Sequence, residues 1–194
     1  HQMSFLIYNL VIFPIIAGML IVNDDFVRFF LGKDFQDARY AIAIMIFRMF
    51  FIGWTNIMGI QILIPHDKNK EFMLSTTIPA IVSVGLNVLL LPHFGFIGAA
   101  IVSVLTESLV WLIQLYYTRH YLREVPIIGS MTKIMFASAV MYGLLLLVKP
   151  FLHFTPTLNV LVYAVLGGII YLIAILSLRV VDVKELKQQF LNKQ

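Results

Sequence analysis

Long apolar runs alternate with short polar stretches along this chain. Six runs stand out: Met3–Val22, Ala41–Ile64, Phe72–Leu91, Phe96–Tyr117, Met131–Val148 and Leu158–Leu178. A helix needs about 20 mostly apolar residues to cross about 30 Å of hydrocarbon. Each run therefore predicts one transmembrane helix. The fifth is the shortest, and its one charge, Lys133, stands at an edge where the aliphatic stem lets the amine reach the interface. Hydrocarbon offers the backbone no water, which excludes open sheet within the spans. The runs also lack the polar–apolar alternation of barrel strands. The expected fold class is an all-α integral membrane protein, a bundle of six transmembrane helices.

Composition supports this pattern and narrows the function. Of 194 residues, 60% are hydrophobic and 12% charged, against about 25% charged in ordinary soluble domains. A soluble globular domain is excluded, and so is disorder, which needs low hydrophobicity and high charge. No cysteine is present. That removes disulfides, Cys-ligated zinc, iron–sulfur clusters and thiol nucleophiles. The net charge is +4, and its placement matters more than its size. On one side of the spans lie Arg28, Lys33, Arg39 and Lys149. On the other lie Lys68, Lys70, Arg119, Arg123, Lys133, Arg179, Lys184, Lys187 and Lys193. The positive-inside rule then places both chain ends in the cytoplasm. Because this bias accounts for the basic charge, nucleic acid is not an expected partner.

Two border segments are amphipathic. Val183, Leu186 and Phe190 recur at helical spacing in the tail, beside Lys184 and Lys187. This fits either a short helix on an anionic leaflet or a solvated end. On the opposite side, Phe26, Phe29 and Phe30 make Asp25–Leu31 an interfacial candidate. The chain opens His1-Gln2, with no initiator Met and no basic leader, so it is expected to lack sequence on its N-terminal side.

Polar residues inside the spans are the candidate chemistry. Pro14 predicts a kink in the first span, either a hinge or a static bend. Arg48 lies inside the second span. A mid-helix Arg costs about 2.5–3.5 kcal/mol on insertion scales and cannot shed its proton. Either it snorkels outward, or it faces a partner or a wet cavity. Arg48, Ile52, Thr55 and Gly59 share a helical face. Glu107 is the counterpart in the fourth span, on a stripe with Ala100, Ser103 and Gln114. Arg48 and Glu107 differ in expected depth by about 6 Å, within an arginine's reach. Pairing lowers the cost of burying both. Such a pair is either a structural bridge or the wall of a cavity. Thr76, Ala80, Ser83 and Asn87 form a further stripe, suited to helix contact or to substrate. Asn9, Asn56 and Gln61 are additional polar positions. The histidines show no metal-ligand spacing, and no phosphate loop, nucleophile elbow or dinucleotide fingerprint occurs. No catalytic residue, metal or cofactor is implied.

Several features fall in a recognisable order. A proline-bearing span leads to Phe29-Phe30-Leu31-Gly32-Lys33-Asp34-Phe35, then Asp37-Ala38. The next span ends Gly59-Ile60-Gln61-Ile62-Leu63-Ile64-Pro65, followed by Asp67-Lys68-Asn69-Lys70. A span with Asn87 closes on Leu91-Pro92-His93-Phe94-Gly95-Phe96-Ile97-Gly98-Ala99-Ala100, ahead of Glu107. This order, over roughly Pro14–Tyr117, resembles the C-terminal half of polysaccharide flippases. These are the O-antigen and capsule transporters of the multidrug/oligosaccharidyl-lipid/polysaccharide (MATE-like) superfamily. Leu91–Ala100 is the most specific part. Asp67 departs from the Gly of the family's short basic loop. The resemblance implies helices nine to fourteen of a fourteen-helix transporter in the bacterial cytoplasmic membrane. It implies four helices of the C-terminal lobe at 1–120, two additional helices at 121–178 and a cytoplasmic tail at 179–194. It implies a lipid-linked oligosaccharide as substrate, flipped across the membrane, and an N-terminal lobe as partner. Arg48, Glu107, Asn87, Thr55 and Ser103 would then be substrate-binding residues. Competing readings are a multidrug or small-solute exporter of the same superfamily, a membrane-embedded enzyme, and a non-catalytic membrane scaffold.

Overall fold

The computed structural model describes residues 2–123, 127–151 and 155–178. The tail segment Asp182–Leu191, like all of 179–194, lies outside the described residues. Among those described, every regular element is helical. The elements are α1 (Gln2–Phe30), α2 (Ala38–Asn56), a π-helical continuation of α2 (Ile57–Leu63), α3 (Asn69–Leu122), α4 (Ile127–Val148) and α5 (Pro156–Ser177). Single 3-10 turns cover Lys33–Phe35, Ile64–His66 and Lys149–Phe151. Five helices are long and apolar enough to cross a membrane. The six expected spans and the five observed helices differ in one place, α3, which contains the third and fourth runs joined without a loop.

α3 has 54 residues and would extend about 80 Å if straight. It is not straight. Gly95, at φ 52° and ψ −135°, joins two arms across a kink just after Pro92. The buried Gln114 donates through Nε2 to Ser75 Oγ at 3.2 Å, although 39 residues along a straight helix span about 58 Å. Ser75 and Gln114 lie almost symmetrically about Gly95, so the arms 69–94 and 96–122 fold back on each other. A positive φ with this ψ belongs to a region open essentially only to glycine. Pro92 removes a helical donor one turn before.

α1 is the centre of the bundle. It packs on α2 through Ile12, Ile16 and Ile46, and through Phe5 against Trp54. Its other side packs on α4 and α5 through Ala17, Ile21, Met141, Leu145 and Tyr163. Buried polar groups pair across these contacts. Trp54 Nε1 donates to Asn9 Oδ1 at 3.0 Å, and Asn9 Nδ2 donates to the Phe5 carbonyl at 2.8 Å. The Tyr8 hydroxyl donates to the Met49 carbonyl.

The helices overrun several expected loops. The pattern ends the first span at Val22, but α1 continues to Phe30. Val27 is 1% exposed, and Phe26, Phe29 and Phe30 stack on one another, so apolar packing carries the helix past Asp24 and Asp25. Those carboxylates are helical rather than in a loop. Asp25 Oδ2 accepts a 3.3 Å bond from Asn159 Nδ2 of α5. Lys149, at the end of α4, donates to the Ile21 carbonyl at 3.2 Å.

Pro14 lies inside α1. It has no N–H for the carbonyl four residues earlier, at Leu10. In hydrocarbon such a carbonyl must find another donor. The Tyr171 hydroxyl of α5 supplies it, at 2.7 Å from the Leu10 oxygen. The proline position is thus tied to a neighbouring helix.

Candidate functional site

Arg48 and Glu107 meet. Arg48 Nη2 is 3.6 Å from Glu107 Oε2, with the side chains 37% and 17% exposed. Arg48 lies about 15 Å along α2 from Ala38, and Glu107 about 17 Å along the second arm of α3 from Phe96. The two elements run in the same direction, because Gly59 of the α2 continuation packs against Gln114 further along that arm. Similar depths and parallel courses bring the charges together. The separation exceeds the 2.7–2.9 Å of a direct charge-assisted bond. The pair is electrostatic rather than directly hydrogen-bonded. Arg48 Nε is buried and has no hydrogen-bond partner among the described residues.

Thr55 completes the cluster from the next turns of α2. Its Oγ1 lies 2.9 Å from the Ile52 carbonyl and 3.1 Å from Glu107 Oε1. A hydroxyl has one hydrogen, so it is shared between its own backbone and the carboxylate. Thr55 is 7% exposed. The other two sequence candidates stand apart. Asn87 donates back to the Ser83 carbonyl of its own helix at 2.9 Å. Ser103 is half-buried and is joined to the Arg48–Glu107–Thr55 cluster by no hydrogen bond among the described residues.

An aromatic wall flanks the cluster. Trp111, one turn after Glu107, lies 5.7 Å from Phe51 and 6.2 Å from Trp54 between ring centroids. The Trp111 Nε1 is buried without a hydrogen-bond partner among the described residues. The wall was not singled out from sequence, because aromatic residues at helical spacing there read as core.

Beyond Thr55 the backbone changes. Over Ile57–Leu63 it is π-helical, and the Ile64 N–H bonds back to Gly59 O, five residues earlier. π-Helical turns inside α-helices are rare and concentrate at functional sites. Gly59 lets both arms of α3 pack closely here. A Cβ there would sit 2.6 Å from Phe72 Cε2 and 3.1 Å from Gln114 Nε2. Asn56 and Gln61, on either side of Gly59, are exposed. Ser4 Oγ donates to Gln61 Oε1 at 2.8 Å.

Among the described residues no group of three or more His, Cys, Asp or Glu stands close enough to hold a metal ion. A groove of about 570 Å³ lies between α1, α4 and α5, lined by Pro14, Gly18, Met141, Tyr163, Gly168 and Leu172 among others. Its lining is almost wholly apolar and excludes Arg48 and Glu107.

Comparison with known proteins adds one relationship. The chain is 31% identical over 94 residues to an Escherichia coli (strain K12) protein described as "Putative O-antigen transporter". The match covers 48% of this chain and 23% of that protein. No family model matches the chain. No solved structure matches it either.

Proposed function

We propose that this chain is part of a polysaccharide transporter that flips a lipid-linked oligosaccharide across the bacterial cytoplasmic membrane. The observation that carries the reading is the Arg48–Glu107 pair, part-exposed and 3.6 Å apart within apolar helices. Charges at this depth are costly against hydrocarbon and mark water-filled pathways or partners. The face that carries them lines an aqueous cavity. An arginine there offers bidentate contacts to phosphate oxygens. Arg48 binds the pyrophosphate of the incoming lipid, and Glu107 reclaims Arg48 when the cavity is empty. Thr55 steadies Glu107 in both states. Asn87 and Ser103 line the wall beyond the pair.

In this reading the arms of α3 are two crossings, so the chain makes six, and both ends are cytoplasmic. The first four crossings form half of the cavity wall, α4 and α5 are additions, and a second lobe closes the other side. The similarity to the O-antigen transporter supports a transport role over a chemical one.

The test is charge exchange in cells whose surface glycan depends on this protein. Arg48→Glu and Glu107→Arg are each expected to abolish export and to lower membrane levels, because each sets like charges against one another. The double exchange is expected to restore protein levels but not export, because the anion-binding charge has moved to another helix. Full export in the double exchange would make the pair a structural bridge and remove it from the substrate path.

A further inference from the structure

The second arm of α3 has two unlike faces. Over 101–123 its exposed residues are Leu105, Leu112, Tyr116, Arg119, His120 and Arg123. At 3.6 residues per turn, all but His120 fall within about 40° of a line through Leu105. Arg123 keeps helical backbone angles, φ −60° and ψ −31°, so the ridge runs unbroken to the end of the helix. Glu107, Gln114 and Thr118 lie about 140–180° around the helix from that line, and the last two are 1% and 0% exposed. The ridge therefore faces away from the Arg48–Glu107 pair.

Its chemistry changes in the order of a bilayer leaflet. Leu105 and Leu112 are exposed and apolar. Leu105 to Tyr116 spans about 17 Å, close to half of a hydrocarbon core of about 30 Å. Tyr116 is 60% exposed, a residue type that gathers at the membrane–water interface. The Arg119 guanidinium lies over its ring, 4.5 Å from the centroid. Stacking uses the guanidinium face and leaves the N–H edge to donate. Arg123 follows one turn later. Among the described residues neither arginine takes part in an ion pair, whereas Lys68 is already paired with Glu71 at 3.2 Å. Between Tyr116 and Lys133 the sequence holds Arg119, Arg123 and Lys133 as full cations and Glu124 as its one acid. An acyl chain fits the leucines, and a phosphate fits the two guanidiniums. A net negative head group suits them better than a zwitterionic one, whose ammonium would stand against two unpaired cations.

We infer that Leu105, Leu112, Tyr116, Arg119 and Arg123 form a binding track for one anionic phospholipid of the surrounding bilayer. The acyl chain lies along the leucines, and the phosphate sits on the two arginines. The inference is independent of the transport reading, because it concerns the opposite face and a lipid of the membrane rather than a cargo.

The test uses the full chain in phosphatidylcholine nanodiscs, with Leu112→Cys as its single cysteine carrying a fluorophore. Part of the lipid is replaced by bromine-labelled phosphatidylglycerol or bromine-labelled phosphatidylcholine, each of which quenches on contact. An arginine at a membrane surface contributes about 5-fold toward anionic lipid, so the parent should prefer phosphatidylglycerol about 25-fold. Arg119→Gln and Arg123→Gln should each reduce the preference to about 5-fold, and the double variant should remove it. A fluorophore on Val84→Cys, 67% exposed on the first arm, should show at most about a 2-fold preference, because surface attraction fades within a Debye length. Thermal unfolding confirms that each variant folds. Equal quenching by the two lipids at position 112 of the parent would overturn the inference, as would equal preference at positions 112 and 84. So would a preference that survives the double variant while its unfolding temperature falls, which would confine the arginines to offsetting the helix dipole.

Discussion

Replacing Tyr171 with Phe removes one oxygen and leaves the ring in place. The structure assigns that oxygen a single backbone partner, the Leu10 carbonyl at 2.7 Å. The carbonyl is free because Pro14, four residues on, has no N–H. Tyr171 is 7% exposed, so water does not take over. A buried acceptor left unpaired costs about 1–3 kcal/mol, whereas interhelical bonds in membranes average about 0.6 and reach about 1.7 kcal/mol. Tyr171→Phe should therefore lower stability by about 1–1.7 kcal/mol. In a Pro14→Ala background the new N–H satisfies Leu10 within α1, and the same change should cost under about 0.5 kcal/mol. The coupling of about 1 kcal/mol is read from a double-mutant cycle. Equilibrium unfolding in mixed micelles, followed by helical circular dichroism, supplies the four stabilities. Equal losses in the two backgrounds would refute the link between the proline and the tyrosine.

Other sites give sharper local tests. Gly95→Ala should cost about 1–3 kcal/mol, because its φ of 52° and ψ of −135° exclude a side chain; unchanged thermal unfolding would contradict that geometry. Gly59→Val should cost about 1–3 kcal/mol by overlap with Phe72 and should disturb the π-helical turn, read as lower thermal stability of the purified chain. A Ser75→Cys, Gln114→Cys double variant in this cysteine-free chain should crosslink with a short bifunctional thiol reagent; failure to crosslink would argue against the folded-back arms. Glu107→Gln should keep the fold, because the amide oxygen still accepts from Thr55, and should abolish glycan export; normal export would free Glu107 from the mechanism.

The sequence was most informative where hydrophobicity alone decides. All six apolar runs are helical, and the Leu91–Gly95 turn is where α3 reverses. Helix ends were less legible. Asp24 and Asp25 look like a loop, but Val27 and the neighbouring phenylalanines bury enough surface to continue α1. Arg48 and Glu107 could be paired from their expected depth, and Thr55 joined to Arg48 from helical spacing. Asn87 could not be placed this way, since an asparagine can satisfy itself on its own helix. The π-helical turn left no mark in the polarity pattern, which was read with a single α-helical period. The Tyr171–Leu10 bond was half legible: Pro14 announces an orphaned carbonyl, but which helix supplies the donor depends on packing across 161 residues.

The central claim is that the face of α2 bearing Arg48 and Asn56 meets water rather than lipid. Single cysteines test it directly, because the chain has none of its own. Arg48→Cys and Asn56→Cys would be compared with Val84→Cys, a position 67% exposed on the apolar first arm of α3. In membranes, a charged, water-soluble thiol reagent should label the first two at least about 10-fold faster than the third, since thiolates form and react in water. Equal protection of all three would place the Arg48 face against lipid or protein and contradict the cavity.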